Sequence, residues 1–329
     1  MNESEQTIAR RSFLKTVAAT AIVPALIAKK AHGGESLRII PVVASDWVRV
    51  ADYTGSHLND FCLFRGLDDR WHAIGIMGTG TWASETSLFH CSSAKLLGQY
   101  EIHEPLLVNL ERGATANASP QKHAPFVVVS EGMHHLYFRR PPGTNLHLAS
   151  PDVFRWPAMP DVVFEQRDAR DACIQRFEKL WHWYYVQQNR VDGVERSCVM
   201  LRTSPDLLAW TAARPAFVDF AHEVVHSKLE SPFVIQHDGV FYLFVRDRNR
   251  EDAANPAPVT VWASETPERF ASTGAPLTIW PDVHAPEIVA HENKWYVARV
   301  SGVSHACGHR DYDRHGWIEI AELRFARVP

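Results

Sequence analysis

Cysteine is scarce in this chain. Its five residues, at positions 62, 91, 173, 198 and 307, make an odd number that cannot all pair within one molecule. No two stand at CxxC spacing, which removes the common zinc and dithiol motifs. Cys62 and Cys173 each lie in an apolar segment and read as buried thiols acting as small hydrophobes; Cys91 and Cys198 are free to be bridged, but nothing supplies a partner. Long apolar runs are also missing. The longest, residues 16–28, is too short to cross a bilayer comfortably, so no stable membrane span is expected. Neither sign of charge dominates: 34 Lys and Arg against 38 Asp and Glu leave a formal net charge of -4, which gives no reason to expect nucleic acid or an anionic membrane as a partner. Helical periodicity is weak throughout, with residues 162–170 and 221–228 the only stretches that invite short helical turns.

The first residues are of a different kind. Ala9-Arg10-Arg11-Ser12-Phe13-Leu14-Lys15 precedes the apolar stretch, in the order of a twin-arginine export signal. Lys29-Lys30 and the small residues Ala31 and Gly33 follow it, where processing would occur. The organisation expected is a signal segment over 1–33 and a single domain over 34–329. The partner implied is the twin-arginine export machinery, and the destination periplasmic or secreted.

What the chain has in quantity is a repeated phrase. The segments Asn59-Asp60-Phe61-Cys62-Leu63, His123-Ala124-Pro125-Phe126-Val127, Arg170-Asp171-Ala172-Cys173-Ile174, Glu230-Ser231-Pro232-Phe233-Val234 and His284-Ala285-Pro286-Glu287-Ile288 share one pattern. Aromatic-rich strands follow, beginning near Trp71, His135, Trp181, Phe241 and Trp295. A second phrase, Ala83-Ser84-Glu85-Thr86, Ala149-Ser150-Pro151-Asp152, Thr203-Ser204-Pro205-Asp206 and Ala263-Ser264-Glu265-Thr266, has the composition of a side-chain-capped turn. Five copies of a β unit predict radial repetition, which solves the edge-strand problem of a β protein. The expected fold is all-β, a five-bladed β-propeller, its ring closed by a strand from residues 37–50.

One column of the repeat holds ionisable residues: Asp60, His123, Asp171, Glu230 and His284. At the starts of the innermost strands they would ring one mouth of the channel. Three carboxylates in one low-dielectric pocket cannot all ionise easily, so at least one is expected to hold its proton near neutrality. One carboxyl to donate and one carboxylate to act as base or nucleophile is the equipment of glycosidic cleavage. Glu230 is the clearest of the three, because a Glu entering an apolar strand needs a reason. His123 and His284 beside Ala-Pro fit a structural hydrogen bond more often than a ligand role, with a sugar-hydroxyl contact or a metal as the alternatives. Trp82 and Trp181 suit stacking on a sugar, whereas Trp183 suits the core. The segment from His305 to His315 is a candidate rim loop or second polar site.

The Asp60, Arg170-Asp171, Glu230-Ser231-Pro232 and His284-Ala285-Pro286 segments resemble those of the five-bladed β-propeller glycoside hydrolases, families 43, 32 and 68 and their relatives, over roughly residues 50–325. The resemblance implies Asp60 as nucleophile or base, Asp171 as the acid that stabilises the transition state or tunes its neighbour, and Glu230 as general acid. It implies substrate contacts from His123, Arg170, Trp82, Trp181 and His284. It implies no required cofactor, with a divalent cation such as calcium on the axis near His284 as an optional companion. The substrate is then an oligo- or polysaccharide carrying an arabinofuranosyl, xylosyl, galactosyl or fructosyl unit. Transglycosylase, phosphorylase and non-catalytic carbohydrate-binding propellers are the competing readings, with Arg246 and Arg248 available to a phosphorylase.

Overall fold

The computed structural model describes residues 38–107, 120–251, 257–271, 273–301 and 314–328. The signal segment, Cys307 and most of the histidine-rich stretch after Ser304 lie outside them. Two N-terminal strands, β1 (Arg38–Val43) and β2 (Val48–Thr54), are followed by four sheets of four strands each. Blade one is β3 (His57–Arg65), β4 (Trp71–Gly78), β5 (Ser87–Ser93) and β6 (Glu101–Ile102). Blade two is β7 (His123–Ser130), β8 (Met133–Arg140), β9 (Thr144–Ser150) and β10 (Asp161–Glu165). Blade three is β11 (Arg170–Phe177), β12 (Leu180–Val191), β13 (Val194–Ser204) and β14 (Arg214–Val218). Blade four is β15 (Leu229–His237), β16 (Val240–Asp247), β17 (Val259–Ser264) and β18 (Thr278–Trp280). Blade five has β19 (Glu287–His291), β20 (Lys294–Ser301) and β21 (His315–Val328), with β1 and β2 both laid antiparallel against β21. The innermost strands β3, β7, β11, β15 and β19 pack against one another around the axis. The five-bladed propeller is therefore present, closed as expected by the N-terminal strands.

Chemistry at the level of single residues explains why the blades seat. Each four-stranded sheet buries both faces, so its strands are continuous runs such as Trp183-Tyr184-Tyr185-Val186 rather than strict alternations. Tyrosines in the second strands then find polar partners across the seams. Tyr137 donates to the Leu207 carbonyl (2.7 Å), Tyr184 to that of Pro267 (2.6 Å) and Tyr242 to that of Ile39 (3.4 Å), each in the next blade. Blade one has Gly75 at the register of Tyr137, because a Cβ there would run into Phe89 and Phe61.

Several local expectations are corrected. Residues 161–165 form the outer strand of blade two, and 221–228 contain no helix; the short helices among the described residues are 3-10 turns at Trp82–Ser84 and Arg248–Arg250. Cys62, Cys91, Cys173 and Cys198 are all buried and free, so the bridge left open for Cys91 and Cys198 is not made. Burial pushes the Cys91 and Cys198 thiols up to about 12. The Ser turn phrase closes the third strand of blades two, three and four, where Ser150, Ser204 and Ser264 each accept the backbone N–H two residues on. In blade one that role falls to Ser93 and Lys95. Residues 83–86 lie instead between β4 and β5, at the other end of the blade.

Candidate active site

A bulge opens each of the first four inner strands, and these bulges build the site. Two residues of the inner strand face one of its neighbour at Asn59-Asp60, Ala124-Pro125, Asp171-Ala172 and Ser231-Pro232. Ala124, Asp171, Ser231 and, in blade five, Ala285 take φ values of 46, 62, 47 and 49°. That left-handed conformation is costly for residues other than glycine and recurs at functional sites. The ladder register resolves the ionisable column into several. Residues immediately before the bulge are Leu58, His123, Arg170 and Glu230; those after it are Phe61, Phe126, Cys173 and Phe233. Asp60, Asp171 and Glu230 thus occupy the third, second and first of these successive positions. Their carboxylates converge although their backbones are not equivalent. Cys62 and Cys173 are likewise one position apart. Because the bulge falls at the same place in these strands, the offsets are differences in the sequence itself, the acid standing one, two or three residues before the first paired residue beyond the bulge.

At the centre stands Ser231. Its hydroxyl donates to Asp60 Oδ1 at 2.8 Å, and its N–H donates to Asp171 Oδ2 at 3.1 Å. Carboxylates from blades one and three are thereby tied to the residue that follows Glu230. The axial pocket is lined by residues at the inner-strand openings of all five blades, with Asp60, Asp171 and Glu287 as its acids and Pro125, Ala172 and Pro232 among its walls. Burial holds the Asp60 carboxyl well above the usual carboxylate range, helped by the negative charges of Asp171 and Glu230 and, to a smaller extent, Glu85. Asp171 is raised too, chiefly by burial, with Arg170 opposing and Glu230 adding to the rise. Glu287 is raised for the same principal reason, although it accepts the Leu63 N–H at 3.2 Å.

Glu230 behaves in the opposite way. Arg246 Nη1 lies 2.6 Å from its Oε2, and Arg248 Nη1 and Arg170 Nη2 lie 3.1 and 3.8 Å from its Oε1. Burial works against ionisation, but the Arg246, Arg170 and Arg248 charges together outweigh it and bring the group down to about 2. Guanidinium groups at both oxygens favour the ionised form of Glu230. Arg170 sits where a substrate-binding residue was expected, but its guanidinium is committed to Asp168, Asp171, Glu230 and the Ser227 and Leu229 carbonyls.

The other expected residues divide between the two ends of the propeller. His284 Nε2 is 3.9 Å from Asp60 Oδ1 and so belongs to the site. Among the described residues no group of three or more His, Cys, Asp or Glu side chains is arranged to hold a metal ion. A cation beside His284 and Asp60 would take most of its roughly six to eight ligands from water and backbone oxygens. Trp82 follows β4 at the site end and is 45% exposed, with its ring 5.3 Å from that of His123. Trp181 is at the far end. It pairs with Arg176, six residues along β11 from Arg170, which is about 20 Å away at strand rise, and its ring takes the Arg176 guanidinium at 5.3 Å. The start of a second strand lies opposite the end of the first in any hairpin, so Trp181 cannot share a mouth with Asp171. Trp183 is core, as expected.

Sequence reasoning missed Glu85. Its carboxylate is 1% exposed and lies between two imidazoles, with His57 Nε2 at 3.1 Å and His123 Nε2 at 2.9 Å. Burial pushes it upward, but both histidine contacts act the other way and its net shift is downward. The signal was present, since Ser84-Glu85 was the one copy of the turn phrase not closing a third strand, but only strand lengths expose that.

No family model matches the chain, and no curated protein matches it. Solved structures do. A family 43 β-xylosidase/α-arabinofuranosidase from a compost microbial metagenome, in complex with xylotriose, is 15% identical, with 87% of this chain and 96% of that chain covered at a TM-score of 0.56. Arabinanase Arb43A of Bacillus subtilis is 14% identical, covering 83% of this chain and 96% of its own at a TM-score of 0.57. A GH43_1 enzyme from Xanthomonas citri complexed with xylotriose is 15% identical, covering 85% and 91% at a TM-score of 0.57. What this chain shares with these glycoside hydrolases, over nearly their whole length, is the five-bladed β-propeller fold.

Proposed function

We propose that this protein is a glycoside hydrolase acting in the axial pocket on a furanoside or related glycosidic bond of an oligo- or polysaccharide. The observation that carries the reading is Ser231, which joins Asp60 and Asp171 by hydrogen bonds of 2.8 and 3.1 Å and adjoins Glu230 in the chain. Three carboxyl groups from three blades are thereby gathered at one mouth. The electrostatics distribute the roles. Burial and neighbouring negative charge oppose ionisation of both Asp60 and Asp171, so one of the two holds a proton. The protonated member donates to the glycosidic oxygen as the carbon–oxygen bond breaks. The ionised member takes a proton from the water that attacks the anomeric carbon. Glu230 is the permanent anion; its charge raises both aspartates and so keeps a proton in the pair.

Release of sugar or aryl alcohol from a panel of aryl arabinofuranosides, xylosides, galactosides and fructosyl sugars tests this. Asp60→Asn and Asp171→Asn should each lower kcat/KM by about 10²–10⁴-fold, the range of general acid–base catalysis. Turnover that survives both substitutions would sink the assignment. The salt-bridged state of Glu230 favours one alternative, a carbohydrate-binding propeller without turnover. Sugar binding with no release across the panel would establish that instead.

The export reading is part of the same proposal, on the strength of Arg10-Arg11 ahead of an apolar stretch. Replacing both arginines with lysine should retain the protein in the cytoplasmic fraction of a bacterial host. Unchanged export would rule out this route.

A further inference from the structure

Beside the carboxylate trio lies a second buried ionic group whose placement serves the pocket mouth. Glu85 stands in the short connection between β4 and β5, and that connection is clamped to the start of blade two. Lys122 N–H donates to the Glu85 carbonyl at 3.1 Å, Gln121 Nε2 to the Trp82 carbonyl at 2.7 Å, and Lys122 Nζ to the Thr86 carbonyl at 2.5 Å. Behind Glu85, the Gly80 N–H donates to His57 Nδ1 at 3.0 Å. That places the His57 proton on Nε2, where it points at Glu85 Oε1. Gly78 allows the approach, since a Cβ there would collide with the His57 ring and the Ser84 hydroxyl. In front of Glu85, Oε2 lies 2.9 Å from His123 Nε2. His123 Nε2 faces Glu85 at ion-pair distance without hydrogen-bond geometry, and no hydrogen bond from the other ring nitrogen, Nδ1, occurs among the described residues. His123 immediately precedes the pocket-lining Ala124, and the exposed Trp82 ring meets it edge-on at 5.3 Å.

An aromatic face beside a fixed imidazole nitrogen is the equipment for a pyranose or furanose ring: the indole covers the C–H face and the nitrogen meets a hydroxyl group. We propose that Glu85 is a positioning residue, which with His57 behind it fixes His123 next to Trp82 so that His123 Nδ1 engages a hydroxyl of the bound sugar. The inference rests on the glycosidase reading and deepens it by naming a recognition subsite at the seam of blades one and two. A purely structural staple between those blades would show the same contacts, so the test must separate binding from stability.

The full chain carrying Glu85→Gln, an isosteric change, is compared with wild type in three measurements. Long-range proton–nitrogen spectra of the His123 ring, assigned by their loss in His123→Asn, report its tautomer. Titration calorimetry with xylotriose reports binding, and steady-state kinetics on the best panel substrate report KM and kcat. In wild type the ring should show a protonated Nε2; in Glu85→Gln it should become a tautomer mixture. Xylotriose affinity should fall and KM rise by about tenfold, the size of one neutral hydrogen bond, with kcat changed far less. Glu85→Asp should recover part of the loss. Unchanged His123 signals and unchanged affinity in a variant that merely melts earlier would overturn the inference. Should Glu85→Gln fail to fold, His123→Asn decides, because it leaves the His57–Glu85 contact in place; a wild-type KM there would equally overturn it. A wild type that neither binds nor cleaves any sugar would overturn the glycosidase reading and the subsite with it, whatever the ring spectrum shows.

Discussion

At the scale of single residues, the site sets two carboxylates against each other in their effect on stability. The folded-state pKa of Asp60 lies above its unfolded value, so the folded protein binds the extra proton, and the group costs stability as pH rises from the unfolded pKa toward the folded one. Glu230 has its pKa lowered to about 2, so its contribution is present above the unfolded value near 4.3 and is lost as pH falls through about 4 to 2. At pH 7, therefore, Asp60→Asn should lower kcat/KM by about 10²–10⁴-fold yet stabilise the fold by about 1–2 kcal/mol, as removal of strained active-site groups commonly does. Glu230→Gln should destabilise by about 3 kcal/mol, because it strands Arg246, Arg248 and Arg170 beside a neutral amide. Thermal melts of both variants between pH 3 and 8 check the signs. A destabilised Asp60→Asn at pH 7 would mean that the carboxylate is ionised and well paired. The same scale shows why Glu230 was legible in the sequence but its charge state was not. A Glu at the head of an apolar strand is visible from one dimension, whereas its arginine clasp draws on Arg246 directly across the β15–β16 hairpin, on Arg248 in the turn after β16 and on Arg170 of blade three, which only the ring brings in.

At the scale of the element, the decisive feature is the bulge. The sequence shows the start of each inner strand and the aromatic strand that follows, because both are runs of apolar residues bounded by turn residues. It does not show that one extra residue is absorbed there. The first four inner strands all absorb it at the same place, so Glu230, Asp171 and Asp60 stand three, two and one residues before the first paired residue beyond it, in three adjacent columns and not in one. The bulge also makes a prediction at its own scale. Ala124 sits at φ 46°, where any Cβ is strained and a branched one more so. Ala124→Gly should be neutral or stabilise by up to about 1 kcal/mol, while Ala124→Val should cost at least about 2 kcal/mol. Denaturant midpoints of the two variants provide the check, and a valine tolerated as well as glycine would show that this backbone is not left-handed. Trp181 gives the complementary lesson. Its aromatic character suits a sugar face, but strand direction and not composition decides which mouth a residue faces.

At the scale of the whole molecule, the ring closes by antiparallel pairing of the first described strand with the last. Arg38 is opposite Val328 and Val43 opposite Leu323, while β2 continues along the same strand, with Val48 opposite Ile320 and Thr54 opposite His315. The start of β1 and the end of β21 therefore lie side by side, as the two arms of a hairpin do, and no connection between them is needed to complete the sheet. A domain so built should not depend on where its chain is opened. Joining Val328 to Arg38 through a two-residue Asn-Gly turn, which matches the twist of paired strands, and opening the chain at the Asp192-Gly193 turn between β12 and β13 should give a permuted propeller that unfolds in one cooperative transition within a few degrees of the parent. Removing β1 instead withdraws its six pairs with β21 and exposes the edge of a strand whose Phe325 stacks on His237 at 3.7 Å and packs against Tyr242 at 5.1 Å, so that variant should melt far lower or aggregate. The contrast isolates closure from connectivity. If the permutant failed while the truncation survived, the N-terminal strands would be guiding folding order and not holding the ring, and the placement of Asp60 against Ser231 across the axis would have to be maintained by the inner strands alone.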